Sequence, residues 1–330
     1  MNGKILVFGS YVADLMARGD HLPVPGETIK GSMFQMGAGG KGFNQGVAAF
    51  KAGGRVQLVT KVKKDAFGEL ALKTMNDLKM DISRVLVSTV EPSGAALILV
   101  DENTSQNSIM VVPGACDHIT AEEVESLRDL ARESDYLLLQ LETNLLSIEK
   151  MIELAVQEKT IIILNPAPVQ KIDEALYQKI DYLTPNEVEA EILSGISVQD
   201  EVGAAAAADW FMDRGVKNVV ITLGERGAYC KNSQVEKLIP AYKVKAIDTT
   251  GAGDAFSGAF AVALAEGKEL LAAVEFASAT AALSVQKLGT AVSMPLRSEI
   301  DDFLKAQESE KGESYAENRN YSSPVKQGIG

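Results

Sequence analysis

The sequence is poor in the residues that most often mark a reactive site. It holds two cysteines, two histidines and one tryptophan in 330 residues. Cys116 and Cys230 are too few for a disulfide framework and stand at no metal-ligand spacing. Free cysteines of this kind are mostly buried packing residues. His21 and His118 have no partner motif and read as solvated rather than catalytic. Positive charge is scarce as well: 32 Lys and Arg against 45 Asp and Glu give a formal net charge of −13. Such a chain would repel the phosphates of nucleic acid. No apolar run reaches the roughly 20 residues of a membrane helix. The opening MNGKILVFGS lacks a long apolar run and a cleavage site. No signal peptide is therefore expected, and a cytoplasmic location is.

What is present is an alternation. KILVF (4–8), VQLVT (56–60), YLLLQL (136–141), TIIIL (160–164), DYLT (181–184) and NVVITL (218–223) read as buried strands. Between them, NQGVAAFKAG, FGELALKTMNDL, SIEKMIELAVQE, NEVEAEILSG and GAAAAADWFMDRG have helical patterns. Trp210, within the last, is expected to pack against the sheet. This order predicts an α/β fold with a mainly parallel sheet covered on both faces. In such sheets the site lies beyond the carboxyl ends of the strands. GSYVAD, NPAP, PNE and GERG all follow apolar runs. Residues 11–36 and 93–112 break the alternation and predict a small β-layer standing off the main sheet as a lid. Residues 307–330 have no apolar periodicity and read as a disordered tail.

Two glycine clusters carry the chemistry. In DTTGAGDAFSG (248–258), Gly251, Ala252 and Gly253 precede Asp254 at the start of an apolar helix pattern. The first N–H groups of a helix have no partner inside it and bind anions. Small residues let a phosphate approach them. Asp254 then either takes a proton from a hydroxyl or only offsets the helix dipole, and the motif alone permits both. The second cluster, GAGGKGFNQG (37–46), fits G-x-G-x-x-G at Gly37, Gly39 and Gly42. It does not follow the first strand, which ends at Gly9, and VQLVT runs into Lys61 rather than an acid. The Walker pattern fails too, with Gln35 in place of the first Gly and Gly42 in place of Ser or Thr. Gly-Gly-Lys-Gly-x-Asn at a helix start still suits a polyhydroxylated ligand.

Together the clusters resemble the signatures of the ribokinase-like (PfkB) sugar kinases. GGKGFNQGVAAFKAGG (39–54) and DTTGAGDAFSGAF (248–260) carry the likeness. LLLQLE (137–142), LNPAP (164–168), TPNEVEAE (184–191) and TLGERG (222–227) match in order between them. The resemblance spans roughly residues 3–306. It implies a three-layer α/β sandwich with a small β-sheet lid, as one kinase domain over 1–306. It implies transfer of the ATP γ-phosphoryl group to a sugar's primary hydroxyl, most simply the 5-hydroxyl of ribose. The alternatives are 2-deoxyribose, another sugar or a nucleoside, or, in another class, a catalytically weak sugar-binding regulator. The partners implied are a small sugar and ATP, with a homodimer formed through the lid.

The same resemblance assigns residues. Asp254 is the base, and Gly251, Ala252 and Gly253 form the anion hole. Asp14, Gly40, Lys41, Gly42, Phe43, Asn44 and Glu142 fall where sugar contacts are expected. Asn186, Thr222, Leu223, Gly224, Glu225, Arg226 and Gly227 fall at the ATP site, with Gly253 and Ser278. Asn186 and Glu189 match an N-x-x-E element associated with magnesium and phosphate, and residues three apart share a helix face. Asp248, Thr250, Ser284, Lys287, Gly289 and Ser293 match a potassium site. Lys287 could serve there only through its carbonyl, because an ammonium has no lone pair. One position departs from the ribokinase pattern: Val12 stands where an Asn usually meets the ribose 2-hydroxyl. An apolar side chain there favours a deoxy carbon.

Overall fold

The structure, a computed structural model, describes residues 2–104 and 106–320. The first half contains β1 (Lys4–Phe8), β2 (Val12–Gly19), β3 (Met33–Gly39), α1 (Lys41–Lys51), β4 (Arg55–Val59) and β5 (Lys61–Lys63). It continues with α2 (Ala66–Asp77), β6 (Leu86–Ser88), β7 (Ser93–Asp101), β8 (Asn107–Gly114), α3 (Ala121–Glu125) and α4 (Arg128–Arg132). Next come β9 (Tyr136–Leu139), α5 (Leu145–Glu158), β10 (Ile161–Leu164), β11 (Tyr182–Leu183), α6 (Glu187–Ser194) and α7 (Glu201–Asp213). The chain continues through β12 (Asn218–Thr222), β13 (Ala228–Asn232), β14 (Glu236–Ile239), α8 (Ala252–Ala265), α9 (Leu270–Ser284) and α10 (Arg297–Asn320).

Strand side chains alternate between two buried layers. Ile5 and Val7 of β1 join one core with Phe43 of α1, Phe260 of α8 and Val274 of α9. Leu6 and Phe8 join the other with Ile148 of α5 and Phe211 of α7. A sheet buried on both faces is why these strands are apolar throughout. Its order is β14-β13-β12-β11-β10-β9-β1-β4. The strands from β4 to β12 are parallel. The antiparallel edge hairpin β13–β14 was not expected from the sequence. Trp210 sets its ring 5.8 Å from Tyr177 and 5.2 Å from Phe211, with the Arg214 guanidinium 3.5 Å above it.

The stretches that broke the alternation form a separate four-stranded sheet, β3-β2-β7-β8. A two-stranded sheet, β5–β6, stands apart from both. The tail expectation needs correction. α10 continues to Asn320, so residues 307–320 are helical. That stretch holds four Glu with Gln307, Lys311, Ala316 and Arg319, all good helix formers, and extends a helix anchored at Ile300 and Phe303. Residues 321–330 lie outside the described residues. No described helix is long and apolar enough to cross a membrane.

α8 is buried on every side from Asp254 to Ala265, so its neighbours must come close. A Cβ on Gly258 would lie 2.4 Å from the Gln45 carbonyl oxygen and 2.8 Å from Ala48 Cβ, both on α1. Alanine in place of glycine inside a helix ordinarily adds about 0.5–1 kcal/mol of stability. Here the methyl would force two helix backbones apart, an overpacking that costs about 1–3 kcal/mol. Gly258→Ala is therefore expected to lower the urea midpoint with an unchanged slope. A neutral or stabilising result would mean that the helices separate without cost.

Candidate active site

The carboxyl ends of adjacent strands deliver one polar residue after another. β1 leads to Ser10, β9 to Gln140 and Glu142, β10 to Asn165, β11 to Thr184 and Asn186, and β12 to Thr222. The N-termini of α1 and α8 meet at this edge. α1 approaches β1 so closely that a Cβ on Gly42 would lie 2.5 Å from the Gly9 carbonyl carbon. α8 starts at Gly251, whose φ of 78° lies in the left-handed region that favours glycine. No side chain caps that helix start.

Asp254, in the first turn of α8, is 7% exposed. Its Oδ2 accepts a hydrogen bond from Asn44 Nδ2 at 3.1 Å, and its Oδ1 one from Gln45 Nε2 at 3.0 Å. Both oxygens are thus taken by α1 side chains rather than spent on the N–H groups of its own helix. Burial pushes its pKa up, and Glu142 adds to that; the Lys41 charge and the two amides pull it down. The net direction is upward.

Lys41 stands among carboxylates. Burial alone would lower its pKa, but Asp254, Glu142 and Glu189 outweigh burial and hold the ammonium above its ordinary range. Glu142 Oε2 accepts the Lys41 N–H at 2.7 Å and the Ser10 hydroxyl. Asp14 accepts the Thr290 hydroxyl at 3.1 Å. Its pKa is pushed up to about 6, first by burial and then by Glu142 and Asp254, against the pull of Thr290. Gly39 leaves room for that carboxylate, since a Cβ there would lie 2.2 Å from Asp14 Oδ2.

A cavity of about 670 Å³ opens between the small sheet and the loops at 246–250 and 288–292. Asp14, Met16 and Arg18 line it from β2, and Asp248, Thr250 and Gly289 line it opposite. Val12 shares their face of the strand, yet it is 2% exposed and is not part of the lining. Phe43 is fully buried in the core rather than open to the cavity.

Asn186 and Glu189 form a reciprocal cap on α6. Glu189 Oε2 accepts the Asn186 N–H at 2.9 Å, and Asn186 Oδ1 accepts the Glu189 N–H at 2.8 Å. Burial pushes Glu189 up, against the Asn186 N–H bond and Lys41. Asn186 is bridged in parallel to Thr222. The turn 222–227 follows, with Leu223 N–H donating to the Gly227 carbonyl at 2.8 Å and Arg226 paired with Glu187. Nothing lies within 4 Å of a Cβ position on Gly224 or Gly253, so the turn and the α8 start are both open to a ligand. Ser278 is half-buried on α9.

The oxygen-rich loop around Asp248 is also in place. Asp248 accepts the Thr250 and Gly289 N–H groups at 2.9 and 3.0 Å. The Ser284 and Ser293 hydroxyls donate to the Ala281 and Thr290 carbonyls at 2.8 Å each, keeping their own lone pairs. The Lys287 ammonium is paired with Glu299 at 2.8 Å, which leaves only its carbonyl for the loop. An all-oxygen donor set of this kind suits a hard monovalent cation. Among the described residues no three His, Cys, Asp or Glu side chains gather as a metal cluster. Magnesium needs few protein oxygens when phosphates and water supply the rest, so Glu189 is an adequate ligand.

Several participants escaped sequence reading. Ser10, Gln45, Gln140, Asn165 and Thr290 all bond site residues directly or at one remove. Gln45 lies inside the quoted glycine motif beside Asn44, and Gln140 lies inside LLLQLE, where a lone amide in an apolar run was its only signal.

Residues 2–297 match the pfkB family carbohydrate kinase profile. Over 305 residues the chain is 38% identical to a ribokinase of Haemophilus influenzae, covering 92% of this chain and 99% of that one. It is 35% identical to a deoxyribokinase of Salmonella typhimurium at the same coverage of both chains. The fold also matches the structure of Arabidopsis thaliana ribokinase complexed with ribose and ATP. That match has a TM-score of 0.83 and 30% identity, covering 92% of this chain and 99% of that one. Two glycine-led helix starts facing one buried carboxylate thus sit in a known frame: the chain belongs to the pfkB family of carbohydrate kinases, phosphotransferases that act on an alcohol group.

Proposed function

We propose that this chain phosphorylates the 5-hydroxyl of ribose with ATP. The observation that carries the reading is Asp254, buried at the open start of α8 with Asn44, Gln45 and Lys41 around it. The similarity to ribokinases supports the substrate. In this reading Asp14, Glu142, Lys41 and Asn44 bind the sugar's hydroxyls. Asp254 then takes the proton of the primary hydroxyl as its oxygen attacks the γ-phosphorus, the bond from that phosphorus to the bridging oxygen breaks, and ADP leaves. The amides of Gly251 to Gly253 stabilise charge on the phosphoryl oxygens, and Lys41 offsets charge at the reacting edge. Asn186, Thr222–Gly227 and Ser278 hold the nucleotide. Magnesium, when bound beside Glu189, neutralises phosphate charge; potassium in the Asp248 loop would order the anion hole. The outer face of the small sheet exposes Phe34, Met36, Leu97, Leu99, Met110 and Val112. A contiguous apolar face of that kind suits pairing with a second copy.

Asp254→Asn keeps the shape and removes the base. A positioned base contributes roughly 10²- to 10⁴-fold. In a coupled assay with ribose and ATP, kcat should fall by that order while ribose binding persists. Turnover within threefold of the parent would sink the assigned role.

Asp14 generates a pH-dependent expectation. Its folded pKa of about 6 lies above its ordinary 3.8, so the folded protein holds this proton more tightly than the unfolded chain. The cost of ionising it in place therefore grows as pH rises from about 4 to about 6, and is complete above that window. Asp14→Asn should stabilise the ligand-free protein at pH 7 by about 1–3 kcal/mol, should give no such gain below pH 4, and should weaken ribose binding. Equal thermal melts of parent and variant at both pH values would refute the assignment.

A second reading, 2-deoxyribose as substrate, rests on Val12 and on the deoxyribokinase similarity. An apolar pocket rejects an added hydroxyl by only about 10²-fold, so measurable 2-deoxyribose phosphorylation is expected. Val12→Asn should move kcat/KM toward ribose by about tenfold or more. A strong ribose preference in the parent, unchanged by the substitution, would show that Val12 only packs.

A further inference from the structure

Beneath the proposed base lies a chain of buried amides that the reaction scheme leaves unused. Gln45 is fully buried, Gln140 is 1% exposed and Asn165 is 7% exposed. Gln45 Nε2 donates to Asp254 Oδ1 and to Asn165 Oδ1, each at 3.0 Å. Gln45 Oε1 accepts from Gln140 Nε2 at 2.7 Å. Asn165 Nδ2 in turn donates to the Thr184 carbonyl at 2.8 Å. The Gln45 amide thus has both donors and its acceptor engaged, from three different elements. An amide so held cannot flip or change rotamer without breaking buried bonds, each costly to leave unmade.

The surrounding packing is shaped to this chain. A Cβ on Gly9 would lie 2.0 Å from Gln140 Oε1. A Cβ on Gly258 would lie 2.4 Å from the Gln45 carbonyl oxygen. Neither glycine has a left-handed φ, so clearance explains them better than backbone conformation. The amides contribute no apolar packing that leucine or methionine could not supply. What they add is direction, because an amide donates along a defined line.

We propose that Gln45, anchored by Gln140 and Asn165, is a positioning residue that fixes the Asp254 carboxylate for proton transfer. The inference rests on the reading of Asp254 as the base. A carboxylate on a short side chain rotates about its last bond. Asn44 holds Oδ2, but Asn44 stands at the sugar side and one of its own atoms, Oδ1, is buried without a partner. Gln45, by contrast, is fully buried with its amide tied on every side. The charged groups facing Asp254 are Lys41 from α1, Glu142 after β9, Asp14 from β2 and Glu189 from α6. Of these only Lys41 favours the ionised carboxylate, so the donor from Gln45 also helps keep it ready to accept a proton.

The experiment compares Gln45→Met, Gln45→Glu, Gln140→Met and Asp254→Asn, with ribose and ATP, across pH 5–9. Gln45→Met should lower kcat by roughly 10- to 100-fold with KM for ribose within about threefold of the parent. The acid limb of its kcat profile should move to higher pH, because a donor to the carboxylate is gone. Gln140→Met, which does not touch Asp254, should shift the limb the same way by less. Gln45→Glu preserves shape and replaces the donor by an oxygen, so it gives the same upward shift if the Met variant fails to fold. An unmoved acid limb with kcat within twofold of the parent overturns the proposal, as does a change confined to KM. Asp254→Asn separates the two levels: full turnover there refutes the base itself, whereas an inactive Asp254→Asn beside an unaffected Gln45 pair refutes only the positioning.

Discussion

Everything at this site depends on how closely α1 can lie against both β1 and α8. The approach is set by backbone, not side chains. Gly42 meets the Gly9 carbonyl carbon where a methyl would be at 2.5 Å, and Gly258 meets the Gln45 carbonyl oxygen at 2.4 Å. At that distance the short amides of Asn44 and Gln45 reach across to Asp254. A separation larger by one methyl would break both bonds and leave the buried Asp254 carboxylate without its amide donors. The glycines of the two signatures therefore hold α1 close to both neighbours, Gly42 on the β1 side and Gly258 on the α8 side.

That contact concentrates negative charge. Asp14, Glu142 and Glu189 all act on Asp254, and Asp14, Glu189 and Asp254 have raised pKa values. Burial is the leading cause each time. The free site is thus held at a cost in stability that ligand hydroxyls can relieve, since a hydroxyl donates to a carboxylate what water no longer can. Such strain persists because the surrounding core over-determines the geometry. Two buried layers, one on each face of the sheet, leave the strand ends no freedom to move apart.

The sequence was legible where chemistry interrupts a pattern. Asp254, Lys41, Asn44 and Glu142 stand out because each follows glycines or ends an apolar run, and all four meet in the structure. The parallel strands were legible because each is a short aliphatic run. The hairpin β13–β14 was not, since AYCKN and EKLI mix polar and apolar residues without a clean period. α9 was missed for the opposite reason: LLAAVEFASATAALS is mostly apolar even where Ala272 is exposed, and with Glu275 as its one charge it has almost no amphipathic signature. Gln45, Gln140 and Asn165 were invisible as a group because hydrogen bonding between residues far apart in the chain leaves no local trace.

The two helix starts at the site do different electrostatic work, and this explains why one chain carries two glycine motifs of different kinds. The start of α1 is already occupied: Glu142 accepts the Lys41 N–H, and the Ser10 hydroxyl accepts the Gly42 N–H at 3.3 Å while donating to Glu142. A helix end neutralised by an internal carboxylate has little left to offer a phosphate. It suits a neutral ligand bearing many hydroxyls, which is why the motif fails both nucleotide-loop patterns. The start of α8 is the reverse. It has no side-chain cap, open space beside Gly253, and its only first-turn acid is turned toward α1. Apart from the Ala252 N–H, which donates to the Thr249 carbonyl at 3.2 Å, this start is open to an anion at Gly253. The division follows from where each carboxylate is tied: Glu142 to the helix end it neutralises, Asp254 to side chains of the helix opposite. In the proposed reaction, polyol on one side and phosphoryl group on the other meet at Asp254, which stands in the first turn of α8 and is tied to α1.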